Sequence, residues 1–337
     1  MKKLKQAFKT SPISNSHRVI FFAVAFLFAL ALGARQFELH AWAGTNPAAT
    51  NLSGVAKTST RDDKKSEGES RFAKLDLGAG LGAQRVHYVN YGKGSEALVL
   101  IHGWTMNVDN WRDQISEFSK RSRVIAIDLP GHGQSDKPQT TYSMDLFARA
   151  VDAVMRDAKV KRAVLVGHSM GTPVARQFYR KYPEKTLAIV IVDGALRPFG
   201  DKAMMARIVE GFRGPNYQQI GGQMFAGMSG PNLSADAQQR IKASFLNTPQ
   251  YVVAGAMEGM ADSSIWGEDK INVPVLAIMA RNPFYPPNLE AGYRPLAPNM
   301  DFRMWEGVGH FIMMEKPKEF NEAVLMFLDK NNLLKKK

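Results

Sequence analysis

The chain contains no cysteine. That absence excludes disulfides, thiolate nucleophiles, cysteine-ligated zinc, cysteine-held iron–sulfur clusters and a lipid-modified N-terminal cysteine. Acidic residues are also in short supply: 31 Asp plus Glu stand against 44 Lys plus Arg, a formal net charge of +13. Part of the excess lies in residues 1–43, where Lys2, Lys3, Lys5, Lys9, Arg18 and Arg35 face the single acid Glu38. Elsewhere the basic residues are dispersed, apart from the tail Lys335-Lys336-Lys337. Dispersed charge describes a solvated surface, and no nucleic-acid-binding motif accompanies it. Long apolar runs are missing too. The run from Val19 to Ala34 spans about 24 Å as a helix, short of a hydrocarbon core of about 30 Å. There is no phosphate loop, no dinucleotide fingerprint and no His/Asp cluster at metal-ligand spacing, so neither cofactor nor metal is expected. What is present is globular: 45% of the 337 residues are hydrophobic and 22% charged, which rules out a disordered or collagen-like chain.

The charged start, the short apolar run and the small-x-small tripeptide Ala41-Trp42-Ala43 read as a secretory signal over residues 1–43. Length and flanks favour cleavage and an exported, periplasmic or secreted product. The competing reading is an inner-membrane anchor over residues 19–34, the one route by which a membrane would be a partner. Residues 44–74, rich in Ser, Thr, Asn, Asp, Lys and Gly, are expected to form a flexible linker.

From residue 75 the text alternates. Apolar runs at Leu98–Ile101, Val124–Ile127, Ala163–Val166, Leu187–Val192 and Val275–Met279 are short and mostly end at Gly, Asp or Pro. Continuous runs of this kind suit strands buried on both faces. Helix-like stretches fall between them at Val108–Phe118, Met144–Asp157, Met170–Lys181, Asn288–Leu296 and Pro317–Leu328. The expected fold is α/β, a doubly wound and mostly parallel sheet. One interval breaks the rhythm. Between Asp193 and Val273 no strand-like run occurs, only helix-like segments near 201–213, 233–246 and 249–260. This reads as a helical cap over 197–270, inserted between core segments 75–196 and 271–332.

The chemistry gathers at strand ends. Gly167-His168-Ser169-Met170-Gly171 follows an apolar strand and opens a helix. A turn this tight needs glycines on both sides, and it lifts the Ser169 hydroxyl above the sheet edge with a helix N-terminus behind it. Ser169 is therefore the candidate nucleophile. His102-Gly103-Trp104 ends an earlier strand, and the backbone N–H groups of Trp104 and Met170 are candidate oxyanion donors. His102 itself reads as a loop-shaping residue. Gly307-Val308-Gly309-His310 follows the run Phe302–Trp305, and a histidine on a Gly-rich loop there can reach back to Ser169 as general base.

These residues carry a resemblance. The chain from about 85 to 330 resembles the α/β-hydrolase superfamily of the helical-cap type, through IHGW, IDLPGHGQSDKP, VGHSMG, IVIVDGA, NVPVLAI and GVGHFIMMEKPKEF. The resemblance implies Ser169 as nucleophile, His310 as base and a carboxylate that orients the histidine. Asp128, in IDLPGHG, matches the family's structural turn rather than a triad position.

This sequence departs from the family pattern where the acid usually stands. After Val275–Met279 comes Ala280-Arg281-Asn282-Pro283-Phe284-Tyr285, and no carboxylate appears before Glu290. Asp193, at the end of the preceding strand, is the best candidate. It either accepts the His310 N–H or merely caps the turn into the cap segment. Glu290 and Glu306 are weaker alternatives. Related dehalogenases and epoxide hydrolases carry Asp at the elbow, so Ser169 points to acyl chemistry instead, with activity rising through the histidine range. The pocket is expected to draw on His168, Met224, Met228 and Met257, a pliable apolar wall for a small or medium ester or related acyl compound. A C–C bond hydrolase of the same fold and a non-catalytic ligand-binding protein on a decayed scaffold are the alternatives.

Overall fold

The computed structural model describes residues 68–334 apart from 79 and 284. The expected signal segment, and the expected linker as far as residue 67, lie outside the described residues. Among the described residues no helix is long and apolar enough to cross a membrane.

Eight strands form one sheet: β1 (Glu69–Asp76), β2 (Ala83–Tyr91), β3 (Glu96–Ile101), β4 (Val124–Ile127), β5 (Arg162–His168), β6 (Thr186–Val192), β7 (Val275–Ala280) and β8 (Met300–Trp305). Their order is β1-β2-β4-β3-β5-β6-β7-β8. The two pairings involving β2 are antiparallel, and all others are parallel. The apolar runs become the interior strands for the expected reason: β4 and β7 are buried at every position, as strands covered on both faces must be. β1 corrects the linker expectation over 69–74. Only Ala73 and Leu75 of this edge strand are buried, so its polar text carries little strand pattern.

The body helices are α1 (Arg112–Arg121), α2 (Met144–Asp157) and α3 (Gly171–Lys181), then α8 (Leu289–Tyr293), α9 (Ile312–Glu315) and α10 (Pro317–Lys330) after the cap interval. They pack in pairs, α2 with α3 and α1 with α10. Ser143 caps α2 by accepting from the Leu146 N–H. The stretch expected as one helix from Val108 begins as a 3-10 turn at Val108–Trp111 before α1.

Between β6 and β7 the chain forms four helices, α4 (Lys202–Arg213), α5 (Tyr217–Met228), α6 (Ala235–Leu246) and α7 (Gln250–Ala261). The sequence pattern shows three of them. α5 escapes it because Gly221, Gly222 and Gly227 interrupt the helical text. Gly221 has a packing reason: a Cβ there would run into the Phe245 ring of α6.

Candidate active site

Ser169, Asp193, His310, Trp104 and Met170 all stand beyond the carboxyl ends of parallel strands, where open α/β sheets place their ligands. β5 delivers the elbow. Ser169 has φ 51°, in the left-handed region that a side chain occupies only at a cost of about 1–3 kcal/mol. The surroundings enforce it: the Ser169 N–H donates to Val192 O at 3.0 Å, and Ser169 O accepts from the Thr172 N–H at 2.9 Å. Gly167 and Gly171 lie so close to neighbouring backbone that a Cβ on Gly167 would strike Gly171 O, and one on Gly171 would strike Ile101 O. Both flanking glycines are required, as the motif implied.

β3 delivers the second wall. A Cβ on Gly103 would come within 3.1 Å of Ser169 Cβ and 2.9 Å of His168 Nδ1, so this loop lies against the elbow. Met170 immediately precedes α3 and Trp104 follows Gly103. Among the described residues neither backbone N–H has a hydrogen-bond partner. His102 shapes the loop. Its Nε2 accepts from the Leu129 N–H at 3.0 Å, which leaves Nδ1–H to donate to Gly103 O at 2.7 Å. Asp128 accepts from Val108 N–H, Gln134 N–H and His87 Nδ1, a turn-organising role away from Ser169.

β6 and β7 deliver the acid. Asp193 also has a positive φ, 44°, and its N–H donates to Ile278 O at 2.9 Å across the neighbouring strand end. Its carboxylate receives His310 Nδ1 at 2.6 Å on Oδ2 and the Ala280 N–H at 2.9 Å on Oδ1. The Tyr285 hydroxyl is pushed well above the usual phenol range by burial and then by the Asp193 charge. The strand end that lacks a carboxylate thus supplies an amide to a carboxylate one strand away. Glu290 and Glu306 are instead engaged in exposed ion pairs with Arg294 and Arg281.

β8 delivers His310. Because Nδ1 faces a carboxylate it carries the proton, and Nε2 is left as a bare acceptor. His168 supports the same loop from the elbow side, with Nε2 3.0 Å from His310 O and the two rings 4.8 Å apart. A carbonyl can only accept, so the His168 proton sits on Nε2. Burial first, and then the neighbouring His310, pushes this imidazole well below the usual histidine range. His168 is 1% exposed.

The cap meets the site through aromatic rings. Trp104 lies 4.7 Å from Phe212, 5.8 Å from Phe225 and 6.0 Å from Phe245, centroid to centroid. Phe225 is 6.3 Å from Phe311, the residue after His310. Trp104 Nε1 donates to Val253 O of α7 at 2.9 Å, and Ser244 of α6 donates to Thr105 O at 2.8 Å. Of the methionines expected in the pocket, Met224 and Met228 are half-buried on α5 and Met257 is buried on α7, and Met228 O accepts the His310 N–H at 2.8 Å. Sequence reasoning singled out the methionines and missed the phenylalanines. The signal that could have found Phe311 is its place beside His310. Nothing local distinguishes Phe212, Phe225 or Phe245.

A family profile described as alpha/beta hydrolase fold matches residues 96–317. The chain belongs to the alpha/beta hydrolase fold family. An uncharacterized protein of Mycobacterium bovis is 30% identical to this alpha/beta hydrolase over 260 residues, covering 69% of this chain and 75% of its own. A 2-hydroxy-6-oxononadienedioate/2-hydroxy-6-oxononatrienedioate hydrolase of Burkholderia vietnamiensis is 28% identical over 264 residues, covering 72% and 91%. Among solved structures, a thermophilic esterase from Thermogutta terrifontis superposes with a TM-score of 0.67 at 25% identity, over 77% of this chain and 99% of its own. The eight-stranded, mostly parallel sheet with flanking helices is the architecture of such alpha/beta hydrolases.

Proposed function

We propose that this alpha/beta hydrolase is a serine hydrolase that cleaves a small or medium apolar ester or related acyl compound. The observation that carries the reading is the 2.6 Å contact between His310 Nδ1 and the buried Asp193 carboxylate, with a serine held at φ 51° at the end of the neighbouring strand. Ser169 Oγ attacks the acyl carbon while its proton passes to His310 Nε2. The tetrahedral oxyanion is received by the Trp104 and Met170 amides, a kind of contact worth about 10²–10³ in rate per donor. His310 returns the proton to the leaving group, and the acyl-enzyme is then hydrolysed by water that His310 activates. Asp193 keeps the imidazole in the productive tautomer and stabilises the imidazolium.

The second reading is a C–C bond hydrolase, favoured by the similarity to the Burkholderia enzyme. It uses the same residues and differs in the bond broken. A panel of chromogenic esters of graded chain length, run beside a vinylogous diketone, separates the two. Ser169→Ala is expected to abolish turnover on either substrate and labelling by a fluorophosphonate probe. Persistent hydrolysis in that variant would sink both readings.

A further inference from the structure

The loop that carries His310 is held from the cap as well as from the body. The Gly309 N–H donates to Glu315 Oε1 at 2.9 Å. The Gly230 N–H, in the turn between α5 and α6, donates to the same oxygen at 3.2 Å. Two further bonds join the same segments: His310 N–H to Met228 O at 2.8 Å, and Asn232 Nδ2 to Gly307 O at 2.8 Å. The contact is close. A Cβ on Gly309 would fall on Met228 O and lie 2.8 Å from Gly230 Cα, and one on Gly230 would fall on Glu315 Oε2 and Gly309 N. Only glycine fits on either side.

Glu315 is 7% exposed, and its second carboxylate oxygen has no partner among the described residues. Burying a carboxylate with one oxygen idle is unfavourable unless the other makes strong bonds. Here it does, because both amides point at one charged oxygen, and charge-assisted bonds are about twice as strong as neutral ones.

We propose that Glu315 is a positioning residue that locks the cap turn 228–232 onto the histidine loop 307–310, so that seating the cap and placing His310 are a single event. The kinetic part of the proposal rests on the reading of His310 as base given above. Lifting the cap turn breaks the Glu315 bridge and the His310 N–H bond together. His310 then keeps its Asp193 contact and the His168 bond to its carbonyl but loses its N–H anchor, one of the two backbone bonds that direct its free nitrogen. A carboxylate that served stability alone would lower the melting temperature and leave turnover by the folded enzyme intact.

The test compares full-length wild type, Glu315→Ala and Glu315→Gln by ester turnover, by the rate of fluorophosphonate capture at Ser169 and by amide hydrogen exchange. Glu315→Ala is expected to lower kcat and the capture rate about 10²-fold, the usual effect of misplacing a reacting group by about 1 Å, with KM little changed. Glu315→Gln recovers most of the loss, because its amide oxygen accepts the same two N–H groups. Exchange in 228–232 and 307–311 rises together in Glu315→Ala, while β5 and β6 stay protected. Gly230→Ala disturbs the contact from the cap side and reproduces the kcat defect, and combining it with Glu315→Ala adds little further loss. A folded Glu315→Ala protein with wild-type kcat overturns the proposal. So does exchange that rises in 307–311 while 228–232 remains protected. If Glu315→Ala does not fold, Asn232→Ala, at an exposed residue, takes its place, and unchanged exchange in both segments then overturns the lock. A wild-type protein that neither hydrolyses esters nor captures the probe defeats the serine-hydrolase reading, while the joint exchange of the two segments still decides the lock.

Discussion

Ser169 and Asp193 are both non-glycine residues in the left-handed region, and each begins the turn that leaves its strand. Two such conformations together cost a few kcal/mol, so the surroundings must hold them in place. The strain at Ser169 was legible in the sequence, because Gly167 and Gly171 mark a turn that flanking side chains would block. The strain at Asp193 was not. IVIVDGA fits a capping aspartate equally well, and only the 2.6 Å contact with His310 distinguishes the two roles. Asp193→Asn tests the distinction. An amide cannot stabilise the imidazolium and can turn its NH₂ towards His310, stabilising the wrong tautomer, so kcat is expected to fall about 10³–10⁴-fold with the fold intact. Stopped-flow acylation with circular dichroism as a control reads both, and near wild-type acylation would return Asp193 to a capping role.

At the level of elements, the cap is joined to the body by a cluster of rings as well as by ion pairs such as Arg240 of α6 with Asp113 of α1. Phe245 is fully buried and lies 5.4 Å from Phe225 and 6.0 Å from Trp104. Phe245→Ala is expected to destabilise the protein by about 3–5 kcal/mol, the usual loss for a buried phenylalanine. It should also leave a cavity beside the Trp104 loop, shifting the ester preference towards longer or bulkier acyl chains. Urea unfolding and the graded ester panel measure the two effects; a stable variant with an unchanged chain-length profile would remove this ring from the pocket wall. The strands of the body were legible as apolar runs, since a strand buried on both faces leaves continuous hydrophobic text. β1 and β2 were not, because strands with only two or three buried side chains leave no continuous apolar run. α5 was not, because three glycines interrupt its helical text, and one of them, Gly221, answers to Phe245 in another helix.

For the whole molecule the buried imidazoles set the response to acid. His102 and His132 are fully buried and His168 is 1% exposed. Burial lowers the affinity of all three for protons, bringing His132 to about 3. The unfolded chain takes up these protons near the ordinary histidine value of about 6.5. Below that pH the unfolded state binds more protons than the folded state, so stability falls as pH falls from about 6.5 towards 3. Each such histidine contributes a slope of at most about 1.4 kcal/mol per pH unit. Carboxylates held below their usual range, such as Asp269 by its hydrogen bond from Arg180 and Asp301 by that from Arg303, add their loss only below about pH 4. Urea midpoints should therefore decline already between pH 6.5 and 4.5, and His132→Phe should flatten that decline. Midpoints that stay level across this window would contradict the assignment.

The succession of the interior strands β3 to β7, the serine on its bend and the histidine on its glycine loop were readable from contiguous residues, because turn geometry and apolar periodicity are local properties of a chain. Which carboxylate meets His310, which rings meet Trp104 and which residue ties the cap to the histidine loop were settled only by folding. Each joins segments far apart in the chain: Asp193 to His310, Trp104 to α4–α7, Gly230 to Glu315. These partners are set by strand order, which puts the β6 and β7 ends side by side, and by the packing of the inserted helices over them. No stretch of neighbouring residues records either.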